Sequence, residues 1–116
     1  MDGGVWIKFQ AAVTTMAYSS EGLARRLADA WDHVRFGGIQ ESDLPEEFRA
    51  QYRSVDAALS IRPSGGPGPY DGAHHQSAKA MPLPALEATA RDFVELFEAL
   101  DHYWRRDIEN SELDPT

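Results

Sequence analysis

The sequence contains no cysteine. This absence excludes disulfides, cysteine-ligated zinc, iron–sulfur clusters and thiol catalysis, and it suits a reducing compartment. Basic residues are also scarce, because 11 Lys and Arg stand against 19 Asp and Glu, for a formal net charge of −8. Nucleic-acid binding depends on cations that neutralise phosphates. Direct binding to DNA or RNA is therefore disfavoured, and so is docking on an anionic membrane.

Long apolar runs are missing as well. No stretch approaches the roughly 20 apolar residues that a membrane-spanning helix needs. The segment MDGGVWIKFQ lacks the basic cluster that opens a signal peptide. We therefore expect a cytoplasmic protein without a membrane partner. A chain of 116 residues is long enough for one hydrophobic core, which predicts a single domain over residues 1–116.

Apolar residues recur with helical spacing in four segments, clearest where Leu86 begins a seam that ends at Trp104. These patterns predict an all-α fold, a compact bundle of about four helices at about 5–18, 22–36, 44–61 and 84–108. Poor helix formers near 19–22 favour a break between the first two helices, although one helix across 5–36 remains an alternative. Asp43 and Glu46 have the spacing of a capping box at the start of the third helix.

The segment RPSGGPGPYDGAHHQSAKAMPLP separates the third predicted helix from the last. Its glycines and prolines favour an extended and poorly packed chain. We therefore predict a flexible loop over residues 62–83. The final residues, 109–116, are predicted to be a frayed acidic tail.

Two motifs in the second and third helices carry a resemblance. The matching positions are Leu23, Arg26, Leu27 and Ala30, followed by Asp43, Leu44, Pro45, Glu46, Glu47, Phe48 and Arg49. Over roughly residues 20–60 the chain resembles a group of small, uncharacterised bacterial helical proteins. They have a Leu-x-x-Arg-Leu-x-x-Ala segment, followed by an Asp-Leu-Pro-Glu-Glu helix start. The resemblance implies a helical fold and implies no activity.

Histidines are the natural candidates for metal ligands in a chain without cysteine. His74 and His75 are adjacent, and Asp71 lies three residues before His74. A zinc or nickel site needs three or four ligands at fixed geometry, so a solvated loop is the favoured interpretation of this segment. Two further pairs have i, i+4 spacing, Asp29 with His33 and Glu98 with His102, and both are expected to be surface pairs. We predict no metal site and no cofactor.

Arg26 and His33 raise the possibility of a nuclease. Helical RNases of the HEPN class carry an Arg and a His on one helix, where the Arg stabilises phosphate charge and the His transfers a proton. Against this hypothesis, Leu27 stands where a polar residue usually follows the Arg, and Asp29 and Asp32 would repel RNA. No catalytic residue is assigned.

The favoured function is a non-enzymatic, acidic protein-interaction module, an accessory or regulatory partner of a larger bacterial protein or a homodimer. Aromatic and arginine side chains often carry interface energy. The candidate contact residues are Tyr103, Trp104, Arg105, Arg106 and Tyr70. The alternatives are an acidic nucleic-acid mimic, as in phage-type anti-defence proteins, and a HEPN-like RNase that uses Arg26 and His33.

Overall fold

The computed structural model describes residues 3–61 and 72–113. Every regular element in this part of the chain is helical. The five α-helices are α1 (Gly3–Tyr18), α2 (Leu23–Phe36), α3 (Arg49–Ala58), α4 (Ala73–Ala80) and α5 (Leu83–Leu113). Two 3₁₀ turns, Glu41–Asp43 and Glu46–Phe48, connect α2 to α3. The prediction of an all-α fold is confirmed.

The core lies where α1, α2, α3 and α5 meet. Trp31 of α2 is at its centre, in edge-on contact with Phe9 of α1 at 6.5 Å and with Phe93 of α5 at 5.7 Å between ring centroids. All three rings are fully buried. The indole nitrogen of Trp31 donates a hydrogen bond to Asp56 at 3.0 Å, so the polar group of this buried ring has a partner.

The turn after α2 is held by backbone conformation and by a polar network. Gly38 has a φ of 86°, a left-handed conformation that favours glycine. Arg35 donates to the Tyr52 hydroxyl at 2.7 Å, which in turn donates to the carbonyl of Ile39 at 2.9 Å. Burial raises the pKa of Tyr52, and the hydrogen bond from Arg35 opposes this shift without cancelling it. The network fixes the approach of α3 to α2.

The start of the third helix differs from the prediction. Asp43 accepts a hydrogen bond from the backbone of Gln40 at 2.7 Å, so the capping box lies one turn earlier, in the first 3₁₀ turn. Leu44 is extended, as expected for a residue before proline. The predicted helix over 44–61 is therefore interrupted, and its α-helical part is Arg49–Ala58.

Helix α4 was not predicted, and its presence is the main correction to the predicted bundle of four helices. Residues 73–80 were assigned to the flexible loop over 62–83. Their composition, AHHQSAKA, is compatible with a helix, and the glycines and prolines that suggested a loop lie between Pro63 and Gly72 or follow at Pro82 and Pro84. The rest of the predicted loop, residues 62–71, lies outside the described residues.

The last helix is longer than predicted. It begins at Leu83, one residue before the predicted start, and continues to Leu113 instead of ending near 108. Residues 109–113 of the predicted acidic tail are therefore helical, while residues 114–116 lie outside the described residues. The break between the first two helices falls at residues 19–22, where it was predicted.

Candidate functional site

Helix α4 packs against α2. Ser77 and Ala78 are the buried residues of α4. The Ser77 hydroxyl also donates to the carbonyl of Ile61. This packing brings His74 and His75, at the start of α4, to Asp29 and Asp32 of α2.

Two short contacts join the histidines to the aspartates. His74 Nδ1 lies 2.6 Å from Asp32 Oδ1, and His75 Nε2 lies 2.6 Å from Asp29 Oδ1. Asp29 and Asp32 are three residues apart on α2, so their side chains share one face of the helix. Both imidazoles are well shielded, with side chains only 12% and 14% exposed. We call these four residues the α2–α4 cluster.

The second nitrogen of His75 is unusual. Nδ1 is buried and has no hydrogen-bond partner in the described part of the chain. It faces Asp32 Oδ2 across 3.6 Å, a distance too long for a hydrogen bond. The His75 ring therefore lies between the carboxylates of Asp29 and Asp32 and is hydrogen-bonded only to that of Asp29.

Two open clefts meet at the α2–α4 cluster. The larger, of about 610 Å³, is lined by Lys8, Thr15, Asp29, Asp32, His33, Phe36 and Gly37. The smaller, of about 340 Å³, is lined by Asp32, Arg35, Phe36, Gly72, Ala73 and His74. Asp32 borders both clefts, so solvent and small ions can reach its carboxylate.

A second surface stands out on α1. Its outer face, which we call the α1 face, consists of exposed side chains at spacings of three and four residues: Ile7, Gln10, Ala11, Thr14 and Tyr18. There is no acidic residue between Gly3 and Ser20. Lys8 is the one charged side chain of α1, and it donates to the carbonyl of Gly37 at the end of α2. The α1 face is therefore exposed and uncharged.

Three of the predicted contact residues on α5 make contacts within the domain. Tyr103 packs edge-on against Phe48, with ring centroids 5.7 Å apart, and Trp104 lies against Gly3. Arg105 donates to Asp101 at 3.0 Å. Arg106 is exposed and borders a small cleft beside Tyr103. Tyr70 lies outside the described residues.

Asp101 joins this region to α1. It accepts hydrogen bonds from the indole of Trp6 at 2.8 Å and from Arg105. Burial raises the pKa of Asp101, but these two hydrogen bonds and the Arg105 charge lower it and prevail, so the pKa lies below its ordinary value. The contact fastens the start of α1 to α5.

The residues of the RNase hypothesis have different environments. The Arg26 guanidinium donates to the carbonyl of Met16 at 3.3 Å, and its Nε is buried. His33 is exposed and borders the larger cleft. The Arg26 side chain thus contacts the backbone near the end of α1, and this use competes with phosphate binding.

The α2–α4 cluster was missed because its members are far apart in the sequence. The i, i+4 rule paired Asp29 with His33, whereas Asp29 contacts His75, 46 residues away. One local signal was available: the segment after Gly72 is compatible with a helix, and its two histidines need acidic partners if they are to be buried.

Comparison of the chain with protein-family models, with curated proteins and with solved structures finds no match. None of the described helices combines the length and apolar character required to cross a bilayer.

Proposed function

We propose that this protein is a small, acidic, non-enzymatic interaction module that self-associates through the α1 face. The observation that carries the proposal is an exposed helix face without charge on a chain of net charge −8. Ile7 is 58% exposed and Tyr18 is 86% exposed on it. Exposed apolar and aromatic side chains on one helix face are typical of an interface.

The charge distribution favours a second copy of the chain as the occupant. Two chains of charge −8 repel each other, so a symmetric contact is most favourable where neither copy presents a carboxylate. The other long helices, α2, α3 and α5, all carry acidic residues at positions that are not fully buried. The α1 face can meet its own copy with neither repulsion nor the burial of an unpaired charge.

The size of the face sets the expected strength. A helix of 16 residues is about 24 Å long and about 10 Å wide. A contact made by this face alone is smaller than the roughly 800 Å² per partner of a standard interface. We therefore expect a weak dimer, with a dissociation constant on the order of micromolar. Weak self-association suits an accessory or regulatory partner of a larger bacterial protein.

A pair of matched substitutions tests the proposal. Ile7→Glu introduces a carboxylate into the α1 face and should raise the dimer dissociation constant at least about tenfold, equivalent to about 1.4 kcal/mol. Leu83→Glu is the control, because Leu83 is 60% exposed, like Ile7, but lies at the start of α5. Sedimentation equilibrium should show a weakened dimer for the first variant and an unchanged one for the second. Equal behaviour of the two variants would contradict the proposal.

An acidic nucleic-acid mimic is the second candidate. The first half of α5 exposes Glu87, Asp92, Glu95 and Glu98. The first and last of these four carboxylates are 11 positions apart, or about 16 Å, over which one DNA strand carries about five phosphates. Arg91 lies among them and reduces the net charge. The density of negative charge approaches that of one DNA strand but falls short of a duplex. The mimic is therefore the second candidate.

Salt dependence separates the two candidates. A mimic would bind a basic protein with an affinity that falls steeply as salt is added. Association through the α1 face would be maintained or strengthened, because salt screens the repulsion between two acidic chains.

A further inference from the structure

We propose that the α2–α4 cluster binds a divalent transition-metal ion of the zinc type, with Nδ1 of His75 and Oδ2 of Asp32 as ligands, held in place by Asp29 and His74. One possible ligand atom each from His75, Asp32 and Asp29 lies within 4.8 Å of the others. The site does not include the α1 face, and metal binding there would be a second property of the interaction module.

The gap between His75 Nδ1 and Asp32 Oδ2 is the first argument. The two atoms are 3.6 Å apart. Two ligands of a tetrahedral zinc ion, each about 2.0–2.1 Å from the metal, lie about 3.3 Å from each other. The spacing is thus close to that of a ligand pair, and Nδ1 is buried without a hydrogen-bond partner in the described part of the chain.

The remaining polar atoms hold these two ligands in place. When His75 Nε2 carries the proton, it donates to Asp29 Oδ1 at 2.6 Å, and the lone pair of Nδ1 is free for a metal. Asp32 Oδ1 accepts from His74 Nδ1 at 2.6 Å, which leaves Oδ2 for the same metal. Metal-binding histidines commonly have such a carboxylate on their second nitrogen.

Solvent completes the coordination. Asp29 accepts from Nε2 on the opposite edge of the His75 ring, so it holds the imidazole in place and is not itself a ligand. The Asp29 side chain is 34% exposed and the Asp32 side chain 24% exposed, so both have room to adjust. Water enters from the two clefts that Asp32 borders.

The ligand chemistry selects the type of metal. Imidazole with carboxylate suits zinc, cobalt or nickel, whereas magnesium and calcium prefer sites built of oxygen atoms alone. The nearby His33 borders the larger cleft and is available to an ion that has an incomplete shell. Because the ligands come from α2 and α4, binding would fasten α4 to the bundle.

The test uses the full-length chain with any affinity tag removed. Zinc is titrated by calorimetry, and cobalt by its visible absorption, which reports the number and geometry of its ligands. We expect one equivalent to bind with a dissociation constant on the order of micromolar and to raise the melting temperature. Nitrogen NMR should place the metal on Nδ1 of His75.

Substitutions assign the site. Asp32→Asn and His75→Gln should each weaken binding at least about 100-fold, whereas His74→Gln, which changes only the support of Asp32, should weaken it about 10- to 100-fold. The control is the double change of Glu98→Gln and His102→Gln. This pair also combines a carboxylate with a histidine, is exposed on α5 and lies outside the cluster. It should leave binding unchanged.

Circular dichroism of each variant without metal shows whether the fold is retained. If His75→Gln loosens α4, Asp32→Asn with intact helicity still decides the question. The proposal is overturned if the wild type binds zinc no tighter than millimolar, or if Asp32→Asn and His75→Gln bind as well as the wild type. In either case the histidines would serve only to tie α4 to α2.

Discussion

At the scale of single residues, Asp32 connects the parts of the α2–α4 cluster. One of its carboxylate oxygens contacts His74, the other faces the buried nitrogen of His75, and its side chain borders two clefts. None of these relations is visible in the sequence, because they depend on contacts across more than 40 residues. What the sequence does indicate is that Asp29 and Asp32 share one helix face.

Asp101 provides a prediction about pH. Its pKa is lowered in the folded protein, so its ionised form is stabilised by folding. This contribution to stability is present above the ordinary carboxyl pKa of about 4 and is lost as the pH falls through the lower pKa of the folded state. Asp101→Asn should therefore reduce the stability difference between pH 6 and pH 3.

Urea unfolding at a series of pH values measures this difference. Asp107→Asn is the matched control, since Asp107 is an exposed carboxylate on the same helix. The Asp107 variant should keep the pH dependence of the wild type. If Asp101→Asn keeps it as well, folding does not lower the pKa of Asp101.

At the scale of elements, the helices differ in how well they could be predicted. The spacing of Leu86, Phe93 and Leu100 predicts α5, and all three residues are buried. Helix α4 has eight residues and no apolar stripe, so periodicity gives no signal for it. Its place is determined by packing on α2, and the glycines and prolines on its N-terminal side dominate any local prediction.

A proline explains why the predicted start of the third helix was wrong. Asp43 and Glu46 have the right spacing for a capping box, but Pro45 forces Leu44 out of the helical region. The helix could not begin at 44, and Asp43 instead caps the turn before it. The predicted box joined Asp43 to Glu46, whereas the box in the structure joins Gln40 to Asp43.

Helix α4 can be undocked by one substitution. Ala78 is 1% exposed and belongs to the hydrophobic core cluster, so Ala78→Glu places a carboxylate among apolar side chains. We expect local destabilisation by about 2–3 kcal/mol. Because α4 lies at one edge of the bundle, the effect should appear as faster amide hydrogen exchange over residues 73–80, with little change in α5.

Ala80→Glu is the control for this experiment, because Ala80 is exposed at the end of the same helix. It should change stability by less than about 0.5 kcal/mol. Unchanged exchange over 73–80 in the Ala78 variant would mean that α4 is held chiefly by the histidine–aspartate contacts. Addition of zinc to the Ala80 variant should slow exchange over the same residues.

At the scale of the whole molecule, charge separates one surface from the others. The chain carries 19 acidic residues, yet none of them falls on α1. The composition disfavours nucleic-acid binding through a basic patch, and it leaves open which face meets a partner. The sequence predicts a partner contact at Tyr103, Trp104, Arg105, Arg106 and Tyr70. Tyr103 and Trp104 pack partly within the domain, and this contact stays a prediction.

The α1 face was harder to predict because α1 is apolar on both sides. Val5, Phe9 and Ala12 are buried, while Ile7 and Ala11 are exposed. The periodicity of such a helix is weak, and only the structure shows which apolar residues remain outside. A helix that is apolar all round is usually buried, and here one side of it faces outward.

The most direct test of the proposed self-association is the mass of the wild-type protein in solution. Sedimentation equilibrium would be run at low and high salt, over concentrations from about 1 to 200 μM around the expected micromolar dissociation constant. We expect a mass that rises from 12.9 kDa toward twice that value, with the dimer maintained or strengthened by salt. A mass of 12.9 kDa at every concentration and salt, or a dimer that dissociates as salt is added, would contradict this expectation.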